Sequence, residues 1–396
     1  MKSISLLEAQ NLILRKQRLT PSTQGTSKAD VVNITRGLCG IQYDPLPVIA
    51  QAHYLTLWNR VKGLRIHWLD SLLYEKRELI EFMLMRQTLN IVPTDELPYY
   101  FQGTRNVARA GWIQQVIEKK DDETSNAILQ KIREEGVASP KDFHYAAFRP
   151  LFYSGKIFIA HRDCGIFRMP YYGLFLDHFP KIELESVDEA KARKFMILKA
   201  LSAYGVSPSR HVAYWLGYKV KETEEILQEL EKEHLVAKIK IDGLRGFSWI
   251  CVEDLAKLGS RTDEEDSVAL LTLMDNLIRD RKWLQQLFNY TFEVEYFQKK
   301  DMKWQVNILH NHEFLGFVNP KFERSTKRFI IKDISLKRRL DNDEWRRVLD
   351  RTKELAQFHD AETIQVQRTK SREIQKALLN YGFSKQSKGE VLVNLK

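Results

Sequence analysis

Gln42 and Asp44 are the pair of side chains in this sequence whose types and spacing best suit chemistry. They stand in Gly40-Ile41-Gln42-Tyr43-Asp44 with one residue between them. In extended backbone, successive side chains alternate between faces. Gln42 and Asp44 are therefore expected to project together while Ile41 and Tyr43 anchor the opposite side. A carboxylate beside an amide can hold one water, activate it as a general base, and stabilise positive charge developing nearby. The same residues also suit a plain strand end, because Asp44 precedes a turn at Pro45.

Other chemistries find less support. Cys39, Cys164 and Cys251 are odd in number and widely separated, so neither a disulfide framework nor a cysteine zinc site is indicated. His310 and His312 flank Asn311 without a metal-ligand spacing that recurs elsewhere, and no metal or other cofactor is expected. The 396 residues carry 62 Lys and Arg against 52 Asp and Glu, a net charge of +10. Such a surplus attracts phosphate polyanions, although a solvated surface rich in lysine carries it too. No apolar run is long enough to span a bilayer. The amino-terminal segment holds Glu8 where a signal peptide would be apolar, so a cytoplasmic protein is expected.

The elements that must position Gln42 and Asp44 recur along the chain. Ser5 with Glu8, and Ser27 with Asp30, are capping boxes that open two helices, the second ending at Gly40. Leu69 to Met85 reads as further helix, and Thr88 to Val92 as a short strand closed by Pro93. A second copy begins at Ser139-Pro140 as cap and first helical residue. It ends in a hairpin whose tip is His161-Arg162-Asp163-Cys164-Gly165, with Phe167 to Pro170 returning. A third begins at Ser207-Pro208 and continues through a helix between Glu222 and Glu233. It closes with strands at Val236–Ile241 and Phe247–Ile250 around an Asp242-Gly243 turn.

Helices followed by a hairpin with a basic tip are the winged-helix recipe. The reading is therefore α+β, with three tandem winged-helix domains (1–105, 106–185 and 186–260). After a charged link, a mixed α/β domain with an antiparallel sheet is expected over 266–396. It would have strands around Phe292–Phe297, Val306–Leu309 and Phe329–Ile331, and a helix from Asp343 to Phe358. The wing residues His161, Arg162, Arg168, Lys240 and Arg245 could contact phosphates. Arg60 and Arg86 could do the same, or neutralise Asp44 or a helix end. Trp58, Trp112 and Trp215 are expected in the core.

Four blocks carry a family resemblance. They are Gly37-Leu38-Cys39-Gly40-Ile41-Gln42-Tyr43-Asp44, Leu57-Trp58-Asn59-Arg60, Arg86-Gln87-Thr88-Leu89-Asn90-Ile91-Val92-Pro93, and Asp275-Asn276-Leu277-Ile278-Arg279-Asp280-Arg281. In this order they resemble the tandem winged-helix DNA glycosylases that unhook interstrand crosslinks, the AlkZ/YcaQ-like azinomycin-resistance group. Two departures are visible. Asn90 stands where that family has histidine, which removes a group able to titrate near neutrality. Gly316-Phe317-Val318-Asn319-Pro320 stands where relatives often show Gly-Arg-x-Asp-Pro.

The resemblance implies hydrolysis of the N-glycosidic bond of N7-alkylated purines in double-stranded DNA. Gln42 and Asp44 would be catalytic. Arg60, Arg86, Asn90, Arg162, Arg168 and Arg245 would face DNA, in a monomer without cofactor or membrane partner. A cationic N7-alkylpurine needs little protonation to leave, so a carboxylate that activates water and offsets sugar charge suffices. The competing reading is a non-catalytic winged-helix DNA-binding protein, such as a transcriptional regulator, indifferent to Asp44→Asn.

Overall fold

Ser5 and Ser27 open the helices Leu6–Lys16 and Lys28–Gly37, each through a complete capping box with Glu8 and Asp30 respectively. A cap of this kind contributes about 1 kcal/mol and fixes where the chain enters a helix. The computed structural model describes residues 2–46, 49–105, 111–164, 168–258, 266–292, 304–367, 371–386 and 390–395. These divide into two units interleaved along the sequence. One takes residues 1–17, 25–45 and 66–260; the other takes 18–24, 46–65 and 261–396. Residues 18–24 and 46–65, expected within the first domain, thus group with the carboxy-terminal residues.

The first unit holds three small sheets among its helices. One is antiparallel, with Ile41–Gln42 at an edge, Leu89–Pro93 in the middle and Leu79–Met83 beyond. The second is the hairpin Ile157–Arg162 with Pro170–Leu174. The third orders Lys2–Ile4, Val236–Ile241, Ser248–Cys251 and Val206–Ser207, with only the first pair parallel. A continuous core runs through this unit, including Phe82, Tyr100, Phe148, Phe158, Trp215 and Trp249. In the third copy, helix Val220–Lys232 leads into the hairpin as the pattern placed it, but the expected Ser207 cap is corrected. Ser207 ends the strand Val206–Ser207, and Pro208 is the N-cap of helix Ser209–Leu216.

Two local expectations are corrected. The helical reading of Leu69 to Met85 holds only for Ile66–Asp70 and the π turn Ser71–Glu75. Leu79–Met83 is a strand, all but its last residue buried. A short apolar run fits either period, and pairing with Leu89–Pro93 decides it. Ser139 does not open a helix. Its N–H and hydroxyl donate to Asp142 Oδ2 at 2.8 and 3.1 Å, closing a turn before the short helical residues from Tyr145 onward. Local side-chain bonds of this kind compete with helix.

The second unit is built on a seven-stranded sheet. Its order is Val268–Thr272, Val306–His310, Glu313–Glu323, Arg328–Leu336, Thr363–Val366, Val391–Asn394 and Ser384–Lys385. All neighbours are antiparallel except Arg328–Leu336 with Thr363–Val366. Those two are joined through helix Asn342–Phe358, as a parallel pair requires a crossover. Gly316 lies at φ 144°, and a Cβ there would stand 2.0 Å from Ser335 O, so only glycine fits. Pro320 is accommodated at the bulge between Asn319 and Pro320. Residues 293–297 of the strand expected around Phe292–Phe297, and Gly165 and Phe167 of the expected wing, lie outside the described residues.

Candidate active site

Gly40 creates the approach to Gln42. Its N–H closes the Lys28–Gly37 helix end on Thr35 O at 3.1 Å, and its φ of +82° turns the chain into the strand Ile41–Gln42. A side chain at Gly40 would meet Val92, Met85 and the Ile91 carbonyl within 3.2 Å. In the resulting ladder Ile41 faces Ile91 and Gln42 faces Asn90, while Phe82 is the next partner of Asn90. Tyr43 continues the pairing, its N–H donating to Leu89 O at 2.9 Å. Directly opposed residues share a face. Gln42 therefore shares its face with Asn90 and Phe82, and Ile41 shares the other with Ile91 and Glu81. Gln42 is half-buried. Asp44, just past the ladder, is 6% exposed.

Asn90 is fully buried, and its amide nitrogen is fixed in orientation by what it meets. Nδ2 donates to Thr88 O at 2.7 Å, and lies 3.1 Å from Thr88 Oγ1 and 3.4 Å from Met85 O. Those acceptors belong to the turn that carries Arg86 and Gln87, both left-handed at φ 54°. Left-handed backbone costs a residue with a side chain roughly 1–2 kcal/mol, so Asn90 braces a strained turn. The oxygen of the same amide is buried with no hydrogen-bond partner among the described residues. Arg86 stacks on Tyr214, its Cζ 4.1 Å from the ring centroid, and has no carboxylate partner among the described residues. Gln87 Oε1 accepts from the indole N–H of Trp112, whose ring is 42% exposed rather than in the core.

The other cations fare differently. Arg60 belongs to the second unit and is fully buried. Nη1 and Nη2 grip Asp275 at 2.7 and 2.8 Å, and Nη1 also donates to Thr56 O at 2.8 Å. The expectation of a phosphate contact at Arg60 is corrected by this ion pair, which leaves the guanidinium no surface. Arg162 is corrected likewise. It lies within a strand, its side chain 6% exposed, with Nε and Nη2 on Glu81 at 2.7–3.1 Å. Burial works against its charge, but the adjoining Glu81 carboxylate outweighs this and raises the guanidinium pKa. Arg168 pairs with Asp70 at 3.0 Å and is largely buried. Arg245 and Lys240 remain exposed on the third-copy hairpin, and His161 stacks on Tyr171 at 4.6 Å.

Glu81 and Tyr74 were missed by sequence reasoning because a helical reading of their segment hides a buried carboxylate. Tyr74 Oη donates to Glu81, and burial together with that charge holds the phenol well above its ordinary pKa. Cys39, two residues before Ile41, is fully buried. Its thiol is pushed up to about 11 by desolvation and so stays protonated. Among the described residues no group of three His, Cys, Asp or Glu could hold a metal ion, and no helix is long and apolar enough to cross a membrane.

The family model described as DNA glycosylase AlkZ-like matches residues 35–358, which includes Gln42, Asp44, Asn90 and the Arg60–Asp275 pair. The chain belongs to the AlkZ-like DNA glycosylase family. A solved structure of similar fold is the DNA glycosylase AlkZ of Streptomyces sahachiroi. It has a TM-score of 0.63 and 13% identity, with 93% of this chain and 100% of that chain covered. This AlkZ-like protein is therefore a DNA-repair enzyme acting on DNA, and the reading as a non-catalytic regulator is set aside.

Proposed function

We propose that this glycosylase hydrolyses the N-glycosidic bond of N7-alkylated purines in duplex DNA, including purines joined in interstrand crosslinks. Asp44 would be the general base for the attacking water. The observation that carries this reading is the opposition of Gln42 and Asn90 in a glycine-entered edge strand, with the recessed Asp44 two residues on. The N7-alkylated base is a cationic leaving group, so the barrier lies in positive charge gathering on the sugar and in delivery of water. A carboxylate with little water around it opposes that charge more strongly than an exposed one. The Gln42 amide can orient the water or the sugar. General-base assistance of this kind is worth about 10²–10⁴ in rate.

Arg86 and Arg245 suit phosphate contacts, Arg86 as a stacked guanidinium beside the candidate site and Arg245 as an exposed hairpin cation. The three small sheets with their preceding helices suit the winged-helix reading, in which such modules line a duplex.

The test incubates purified protein, in chelator, with duplex DNA bearing 7-methylguanine or a nitrogen-mustard crosslink. Alkali-labile abasic sites are expected, reduced about tenfold or more by Asp44→Asn. Equal activity in the variant removes Asp44 from the mechanism. Failure to release any N7 adduct rejects the substrate assignment.

A further inference from the structure

Tyr43 lies between the two candidate catalytic residues, and its ring is covered by a cation that points inward. The Arg162 Cζ stands 4.2 Å from the Tyr43 ring centroid. The plane of that guanidinium is set by Glu81, which accepts from Nε at 3.0 and 3.1 Å and from Nη2 at 2.7 Å. Nη1 meanwhile donates to Arg168 O at 2.8 Å. Glu81 is held in turn by the Tyr74 hydroxyl. The register puts Glu81 on the face of Ile41 and Tyr43, opposite the face of Gln42 and Asn90.

We propose that Arg162 and Glu81 are positioning residues, which set the backbone of Gln42–Asp44 from behind by clamping the Tyr43 ring. Arg162 then acts on the reaction through Tyr43 and not through DNA. The inference rests on the Asp44 reading given above.

Two physical points support it. A buried ion pair seldom stabilises a fold more than apolar side chains of equal volume, so stability alone is a weak reason to place one beneath this strand. What the pair supplies is direction, because a forked guanidinium gripped by a carboxylate presents one flat face at one height. A lysine would supply the charge without the plane. The edge strand itself is only Ile41–Gln42, with one further ladder bond at Tyr43, so the Tyr43 ring is a short lever on the segment that carries both candidate residues. Misplacing a catalytic group by about 1 Å can cost about 10²-fold in rate.

The experiment compares Arg162→Lys, Tyr43→Leu, Tyr43→Phe and Asp44→Asn, each checked for a native thermal melt. Single-turnover excision is measured on a 7-methylguanine duplex, and DNA affinity at several salt concentrations. Arg162→Lys and Tyr43→Leu are expected to slow excision roughly 10–100-fold with affinity and its salt slope unchanged. Tyr43→Phe, which keeps the ring, is expected within about threefold of wild type. If Arg162→Lys does not fold, the two Tyr43 variants carry the test. Wild-type rates in Arg162→Lys or Tyr43→Leu overturn the proposal, as does a Tyr43→Phe as slow as Tyr43→Leu. So does lost affinity with a shallower salt slope, which would mark Arg162 as a phosphate contact. Asp44→Asn separates the two readings. If it keeps the wild-type rate, both fall; if it alone loses activity, only the positioning role fails.

Discussion

Gln42 stands directly across an antiparallel pair from Asn90, and Asn90 Nδ2 in turn holds the turn that carries Arg86. The Asn90 amide is thus a donor serving two backbone carbonyls. Asn90→Ala is expected to destabilise the protein by about 1–3 kcal/mol in urea melts, since buried acceptors lose their partner. Asn90→Asp should cost more at pH 7, because a carboxylate would face the Met85 and Thr88 carbonyls. An Asn90→Asp protein as stable as wild type would contradict this account of the turn.

Arg60 and Asp275 join two sequence blocks that lie far apart along the chain. Removing one member leaves the other charge buried and unpaired. Arg60→Ala should therefore lose about 3–5 kcal/mol, while the apolar double variant Arg60→Met with Asp275→Leu should lose less. Chemical denaturation of the three proteins decides this. Neither variant should change the salt slope of DNA binding.

Arg86 should behave in the opposite way. Its guanidinium has no carboxylate to neutralise it among the described residues, so Arg86→Ala is expected to weaken DNA binding and reduce the salt slope by about 1. Arg245→Ala, on an exposed hairpin turn, should do the same. A titration of affinity against salt from about 50 to 200 mM measures both.

His359 gives a pH dependence with a definite sign. It is buried among Phe322, Phe329 and Phe358, and desolvation, aided by Arg324, lowers its pKa to about 4. The unfolded chain takes up this proton near the ordinary value of 6.5, whereas the folded protein does not until about 4. Stability is therefore fully present above pH 6.5 and is lost as pH falls toward 4, by up to about 3 kcal/mol. His359→Phe should flatten that window in melts taken at successive pH values. Glu344, held at about 2 chiefly by its hydrogen bonds from Arg338, acts in a lower one.

The sequence made the helix starts at Ser5 and Ser27 legible because caps are local: a side chain bonds backbone three residues away. The hairpin at Val236–Ile241 was legible for a similar reason, since alternation and an Asp-Gly turn are written within a few residues. The Gln42–Asp44 segment stood out through its family blocks, and the glycine that leads into it could be seen beforehand. Arg86 and Arg245 were named beforehand as cations that could face DNA; the fold stacks Arg86 on Tyr214 and leaves Arg245 exposed, which suits that expectation without testing it.

What local pattern could not give was the partner of each charge. Leu79–Met83 reads as helix until Leu89–Pro93 pairs with it, and only then does Glu81 fall beside Arg162. Arg60 finds Asp275 across more than two hundred residues, and Asn90 finds the carbonyls of a turn it must brace. Sequence by itself determined which residue types were available and where helices and turns begin, because those are set by short-range sterics and hydrogen bonds. Tertiary structure alone decided which of these cations are neutralised by a carboxylate, because an ion pair depends on distance in space and on the water excluded around it.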